Sequence, residues 1–274
     1  MLYSDPSQLD LSKYKRLFTF GCSFTKYRWP TWADILHDSM PNADLYNTAK
    51  SGAGQQYIAT QLEQHNRHYK FNEDDLIVIM YSTFYREDRY RYCGKGRDNW
   101  ITPGNIYTQQ TYSEEFIKNW ADPRGYIIRD LALMTGVKAL LEQLPCAAVT
   151  MSSVPIDFAY NEYTQQITEI DDVIELHRDV IDSLQKPMLS LEMNGVWTSG
   201  ATYDMNGEQY ADYHPSTVRY CNYLKKIGFD ITDESTDYAE QCTHVLDNDI
   251  ETFDDLVDRW GHEYSLRDNF KPLL

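Results

Sequence analysis

The run Asp75-Leu76-Ile77-Val78-Ile79-Met80-Tyr81 starts behind an acidic turn and stays apolar until its closing tyrosine. A strand with one wet face alternates apolar and polar residues, whereas a strand that is apolar throughout has to be covered on both faces. A parallel sheet with helices on each side meets that demand. This segment therefore excludes an antiparallel sheet open to water and directs the chain toward an α/β fold.

The remaining pattern supplies partners for that strand. Arg16–Phe20 reads as a first strand, 32–39 as a helix after Pro30, and 44–46 as a short second strand. The small-residue turn Asn47-Thr48-Ala49-Lys50-Ser51-Gly52-Ala53-Gly54 comes next, and Gln55–Tyr69 then has helical character around Tyr57, Ile58 and Leu62. An amphipathic helix spans 126–144 up to Pro145, and a fourth strand spans 146–151. Helices over 171–184 and 216–227 complete the alternation, the latter stopped by Gly228, with 229–232 extended after it. Strands alternating with helices predict a doubly wound, mostly parallel sheet. Two segments break the pattern. Residues 85–125 are rich in Arg, Tyr, Trp and Gly and form a long insertion of the kind that serves as a lid or binding element. Residues 232–274 read as an acidic helical extension packed on a main domain of residues 1–231, with Phe253, Leu256, Val257 and Trp260 as its apolar stripe.

Charge narrows the partners. The net charge is −17, and residues 230–274, with 13 acidic against 3 basic side chains, carry −10 of it. Such a balance disfavours nucleic acid and anionic membrane surfaces as partners. No apolar run approaches the roughly 20 residues that span a bilayer, and the first residues lack the layout of a signal peptide, so a cytoplasmic location is expected. The five cysteines, Cys22, Cys93, Cys146, Cys221 and Cys242, are scattered without a Cys-x-x-Cys pair, which predicts free thiols and no zinc site. His65 and His68 stand three apart on a helix without an evident third ligand and are read as solvated. No metal and no organic cofactor is expected.

Two short motifs carry chemistry. Gly21-Cys22-Ser23-Phe24-Thr25 places Ser23 on a turn at the carboxyl end of the first strand, where a doubly wound sheet binds ligands. Asp212-Tyr213-His214-Pro215 supplies an imidazole with a carboxylate two positions away, on a turn fixed by proline before a helix. Serine, histidine and aspartate are the parts of a nucleophilic acyl-transfer site. Taken singly, Ser23 reads as a turn residue or helix cap and His214 as a surface histidine. Gly52 and Gly54 follow the second strand, where backbone amides can face an oxyanion beside Ser23.

Together these pieces resemble the SGNH (GDSL-like) hydrolase superfamily, whose short sequence blocks sit in a flavodoxin-like α/β/α fold. The resemblance covers about residues 17–227. It implies Ser23 as nucleophile with its own amide in the oxyanion hole, Gly52 as a second amide donor, and His214 as general base. The family's aspartate stands three positions before its histidine; here the offset is two. The asparagine of the family's third block is replaced by Ser82 or Thr83, whose hydroxyls would have to supply that donor. Loss of one oxyanion donor costs about 100- to 1000-fold in rate.

The expected function is a serine esterase acting on acyl esters, above all O-acetyl groups on carbohydrate, with Asp212 orienting His214. Tyr85, Arg86 and Trp100, at the start of the insertion and within it, are the expected substrate contacts, since residues 85–100 are locally basic and aromatic. The partner is then a small-molecule or glycan ester. Two other readings share these residues: an O-acyltransferase with the same covalent intermediate, and a non-catalytic glycan-binding or structural component of a larger particle. The sequence leaves the oligomeric state open.

Overall fold

The structure is a computed structural model that describes residues 1–91, 100–108, 111–155, 170–196 and 198–261. Its first half contains β1 (Arg16–Phe20), α1 (Trp32–Asp38), β2 (Asp44–Asn47), α2 (Gln55–Tyr69) and β3 (Asp75–Tyr81). The insertion contributes β4 (Arg89–Tyr90), β5 (Trp100–Ile101) and α3 (Glu114–Trp120), before α4 (Pro123–Gln143) and β6 (Ala147–Ser152). Three short helices follow, α5 (Asp171–Leu176), α6 (Arg178–Ile181) and α7 (Met188–Glu192), then the strands β7 (Ala201–Met205) and β8 (Glu208–Asp212). The chain continues through α8 (Thr217–Lys226), α9 (Asp233–Asn248) and α10 (Phe253–Trp260).

The apolar run is β3, buried at every residue, as a strand covered on both faces must be. It lies inside a parallel sheet of order β2-β1-β3-β6, paired so that Thr19 faces Asn47 on one side and Val78 on the other. Side chains alternate between faces along each strand. Leu17, Leu76, Val78, Met80, Val149 and Met151 enter a core built with α1, α8 and α9. Phe18, Phe20, Ile77, Ile79 and Tyr81 enter a second core built with α2 and α4. The result is the expected three-layer α/β/α architecture. The chain leaves β1 for β2 on one side and returns to β3 on the other. The carboxyl end of β1 is thus a topological switch point, where such sheets leave a crevice.

Beyond Gly228, Phe229 and Ile231 are buried in the α1/α8 core, and Thr232, extended at φ −64° and ψ 159°, caps α9 by accepting from the Ser235 amide. The expectations fail in two places. The helix foreseen over 171–184 is two short helices that meet at His177, whose backbone (φ −115°, ψ 20°) leaves the helical region. His65 is a core histidine, and burial pushes it down to about 4, so it stays neutral; only His68 is exposed. Among the described residues Cys22, Cys146 and Cys221 are free and buried, Cys242 is buried, and no helix is long and apolar enough to cross a membrane. No group of acidic, histidine or cysteine side chains among them could hold a metal ion.

The extension is helical where described. Ala239 of α9 lies in the α1/α8 core, and Ser235 bonds Ser39 and Asp38 of the α1 end. In α10, Leu256 is buried while Phe253, Val257 and Trp260 are half-buried. Residues 262–274 lie outside the described chain, as do Tyr92, Lys95 and Arg97 of the insertion.

One buried charge makes stability depend on pH. Asp130 of α4 is fully buried; Arg129 reaches its Oδ1, and its Oδ2 has no hydrogen-bond partner among the described residues. Burial raises its carboxyl from 3.8 to about 7, against the opposing pull of Arg129. Between those values the unfolded chain releases a proton that the folded chain keeps, so stability falls as pH rises through the window. Asp130→Asn removes that loss. Urea unfolding should show the variant gaining on the parent between about pH 4 and about pH 7; a constant difference would show that Asp130 does not titrate there.

Candidate active site

The turn after β1 delivers Ser23 to the switch point. Thr25 and Lys26 donate backbone N–H bonds to Cys22 O at 2.9 and 3.2 Å, which curls the chain directly beyond the strand. Asn47, at the end of β2, donates from Nδ2 to Thr25 O at 2.9 Å and accepts the Ala49 amide at 3.2 Å. The end of β2 is thereby tied to the Ser23 turn.

The second half of the site comes from a hairpin that the strand–helix alternation did not show. Asn206 (φ 60°) and Gly207 (φ 88°) close β7 onto β8, with Tyr203 opposite Tyr210 and Ala201 opposite Asp212. Two consecutive positive φ values make a turn of the I′ kind, whose twist suits antiparallel strands. Asp212 is the last residue of β8. Its Oδ1 accepts both the His214 backbone N–H (3.1 Å) and His214 Nδ1 (2.7 Å). The two-residue offset works because the carboxylate bonds the amide two positions on, as in an Asx-turn, and the same oxygen then meets the ring. The chain enters α8 immediately afterwards, with Thr217 Oγ1 and Trp29 Nε1 bonding Pro30 O and Pro215 O at 3.0 and 2.9 Å.

These elements bring Ser23, His214 and Asp212 into one hydrogen-bonded chain. His214 Nε2 lies 2.8 Å from Ser23 Oγ. A carboxylate can only accept, so Nδ1 carries the proton toward Asp212 and Nε2 presents its lone pair to the serine hydroxyl. That is the tautomer a general base needs. Asp212 is 1% exposed, and burial pushes its carboxyl up; the hydrogen bond and charge of His214 and the Tyr27 hydroxyl outweigh this and hold it below its ordinary value. It is an anion throughout the working range of a histidine.

Residues the sequence did not single out complete the carboxylate's shell. Asp212 Oδ2 accepts Tyr27 OH at 2.5 Å and Tyr203 OH at 2.9 Å, with Arg28 Nη1 at 3.8 Å. Tyr27 also lies against the imidazole, ring centroids 3.6 Å apart and planes at 18°. Phe24 and Trp29 border the same ring.

The other expected site residues divide. Gly52 has φ +73°, and a side chain there would overlap Thr102 O of the insertion, so only glycine fits this turn. Its carbonyl accepts the Gly104 amide at 3.1 Å. Ser82 is fully buried and donates its hydroxyl to Ala53 O at 2.8 Å, which commits its proton to the β2–α2 turn. Thr83 is half-buried and accepts Arg86 Nε at 3.1 Å. Arg86 also donates to Ala53 O at 3.0 Å, so it braces the same turn. Tyr85, expected at the mouth, is buried in the α2/α4 core with its ring near Phe84, Tyr107 and Tyr126. Its backbone turns inward at φ 66°, which sends the ring under the insertion. Trp100 packs on the small cluster of Cys22, Ala53 and Tyr57, and Lys50 Nζ holds its carbonyl at 2.9 Å.

No family model and no curated protein matches the sequence. Among solved structures the chain is similar to a member of the lipolytic G-D-S-L family from Veillonella parvula. That match has 12% identity over 77% of this chain and 94% of that one, with a TM-score of 0.40. It is also similar to a catalytic mutant of an acetylxylan esterase from Geobacillus stearothermophilus, at 14% identity over 79% and 95% of the two chains and a TM-score of 0.40. The parallel sheet order, with Ser23 after β1, Gly52 after β2 and Asp212-x-His214 before α8, decides the architecture. The fold is a three-layer α/β/α arrangement around a parallel sheet. What the site can do chemically rests on its own geometry.

The hairpin approaches His214 so closely that a side chain at Gly200 would overlap the His214 carbonyl oxygen, while Gly200 N donates to Asp212 O at 2.8 Å. Gly200→Ala should therefore push the hairpin off the His214 turn and lower stability by about 1–3 kcal/mol. Thermal unfolding checks this; an unchanged midpoint would mean that the hairpin is not pinned there.

Proposed function

We propose that the protein is a serine esterase that hydrolyses acyl esters at Ser23. One observation carries the proposal: the unbroken chain from Ser23 Oγ through His214 to the buried Asp212 carboxylate, at 2.8 and 2.7 Å. Nothing in the folding of a turn and a distant hairpin requires that alignment.

In the proposed reaction Ser23 Oγ bonds to the ester carbonyl carbon while its proton passes to His214 Nε2. The carbonyl electrons move onto oxygen, and the amides of Ser23 and Gly52 receive the oxyanion. His214 returns the proton to the leaving alcohol as the C–O bond breaks and an acyl-serine remains. Water, deprotonated by the same imidazole, then releases the acid and restores Ser23. Asp212 stabilises the imidazolium in both halves. Since the Ser82 hydroxyl is committed to Ala53 O, Thr83 is the hydroxyl left for the third donor position. The acyl group is proposed to be acetyl and the alcohol a carbohydrate. Support for the sugar comes from rings at the rim: Trp100 in contact with the Tyr57 and Tyr90 rings, and Tyr213, 56% exposed beside His214. Such faces suit sugar rings.

A fluorophosphonate should label Ser23, and Ser23→Ala or His214→Ala should each lower ester turnover by about 10³-fold or more, the double variant being little worse than either. No labelling, or full turnover in Ser23→Ala, would overturn the mechanism. Activity should fall in acid, since a protonated imidazole cannot take the serine proton. Asp212, held below its usual range, adds no second step above that range.

The sugar has its own test. Trp100→Ala should raise the Michaelis constant for an acetylated oligosaccharide several-fold, yet leave a small aryl acetate nearly unchanged. Equal effects on both would assign Trp100 to packing. Acyl transfer to an added sugar faster than hydrolysis would make the protein an acyltransferase.

A further inference from the structure

Asp212 Oδ2 is turned away from the imidazole into a closed polar nest. Tyr27 and Tyr203 donate their hydroxyls to it at 2.5 and 2.9 Å, and Arg28 donates to Tyr203 OH at 2.9 Å. Arg28 is itself held between aromatic faces, 5.5 Å from the Tyr27 centroid and 4.6 Å from that of Phe253. Burial beside the carboxylate raises both phenols far above their ordinary value, so they remain donors at every working pH. Tyr27 alone in this group touches both members of the pair, with its hydroxyl on the carboxylate and its ring flat on the imidazole.

From these contacts we infer that Tyr27 is a positioning residue that sets both the orientation and the basicity of His214. The inference rests on the esterase reading of the site, but its first readout does not need turnover. The two contacts act in opposite senses. The hydroxyl draws negative charge on Asp212 away from the ring and so disfavours the imidazolium. The π-face beneath the ring favours the imidazolium, as any aromatic face favours a cation. The stacking also restricts rotation of the imidazole about its bond to the chain, leaving Nε2 aimed at Ser23.

The titratable and charged groups facing this imidazole come from several elements. Ser23, Tyr27 and Arg28 belong to the β1–α1 loop, Tyr203 to β7 and Asp212 to β8. From α8, Tyr220 feels the Asp212 charge. From α10 comes only the uncharged Phe253, through Arg28. Among these, Tyr27→Phe removes one hydroxyl and keeps the ring, whereas Tyr27→Leu removes both. Tyr203→Phe removes a hydroxyl from the same oxygen without touching the imidazole.

The test is the titration of His214 followed by imidazole NMR, its signals identified among the seven histidines by their loss in His214→Gln. The midpoint should rise by about half a unit or more in Tyr27→Phe, and also in Tyr203→Phe. The midpoint of Tyr27→Leu should lie below that of Tyr27→Phe, because only the ring differs. In ester turnover, Tyr27→Phe should lose less than about tenfold and Tyr27→Leu about 100-fold, the cost of a misplaced group. Coincident midpoints in parent, Tyr27→Phe and Tyr203→Phe would overturn the inference, since a merely structural tyrosine changes stability and leaves the titration in place. Displaced midpoints in a protein that neither hydrolyses esters nor accepts a fluorophosphonate would uphold the coupling and reject the esterase instead.

Discussion

The buried carboxylate of Asp212 is the constraint on which the site depends. A carboxylate removed from water is stable only if its lone pairs are filled by donors. The chain answers with donors from three separate places. His214 supplies two from the next turn, Tyr203 one from the paired strand, and Tyr27 one from the β1–α1 loop nearly two hundred residues earlier. Each donor fixes the segment that carries it. The loop after β1 is thus held against the hairpin, and that closure sets the separation between Ser23 and His214. The carboxylate that bonds the imidazole is also the knot that brings the Ser23 loop to the His214 turn.

This explains why the sequence revealed the site unevenly. β1, α2 and β3 are legible because they are local: a run of apolar residues or a helical spacing states its burial without reference to the rest of the chain. Ser23, Asp212 and His214 are legible because nucleophile, base and orienting acid are few residue types in short motifs. Tyr27, Tyr203 and Arg28 are not, because their role is defined by the arrival of Asp212, and tyrosines are common in this chain. The β7–β8 hairpin left a readable trace in Asn206-Gly207 between alternating residues, the strongest short hairpin signal. It was obscured by the expectation that strands should alternate with helices. Tyr85 shows the converse failure. Position in a basic aromatic segment suggested exposure, whereas a backbone with positive φ turned the ring into the core.

Ser82, directly after β3, is tied to the insertion through a shared acceptor. Ser82 Oγ and Arg86 Nη1 both donate to Ala53 O, and Asp88 accepts the amides of Gly54 and Tyr57 at the start of α2. Thr102 Oγ1 and Gly104 N then bond Ser51 O and Gly52 O from above. The β2–α2 turn is therefore clamped on one side by the end of β3 and on the other by residues 102–104. A rigid turn holds its amides in place before charge develops, which is the condition under which backbone donors stabilise an oxyanion best. The same hydrogen bonds that commit the Ser82 hydroxyl to Ala53 O hold the turn that carries Gly52.

The acidic extension acts on the site through apolar and backbone contacts, while its charges lie mostly on exposed positions. Ile250, Leu246 and Leu256 bury against Trp29, Ala201 and Tyr203, the residues that frame the hairpin and the β1–α1 loop. Asp204 N donates to Glu251 O at 2.7 Å, and Thr252 and Asp255 cap α10 reciprocally, which fixes where that helix starts. Phe253 is thereby placed over Arg28, and Arg28 over the Tyr27 ring. The order of support runs from the α10 cap to Phe253, to Arg28, to the tyrosine pair and to Asp212. The end of a parallel strand places Ser23. His214 follows a two-stranded hairpin, which is marginally stable by itself and needs packing against a helix. The helices α9 and α10 supply that packing, so the extension is part of what keeps His214 aligned with Ser23.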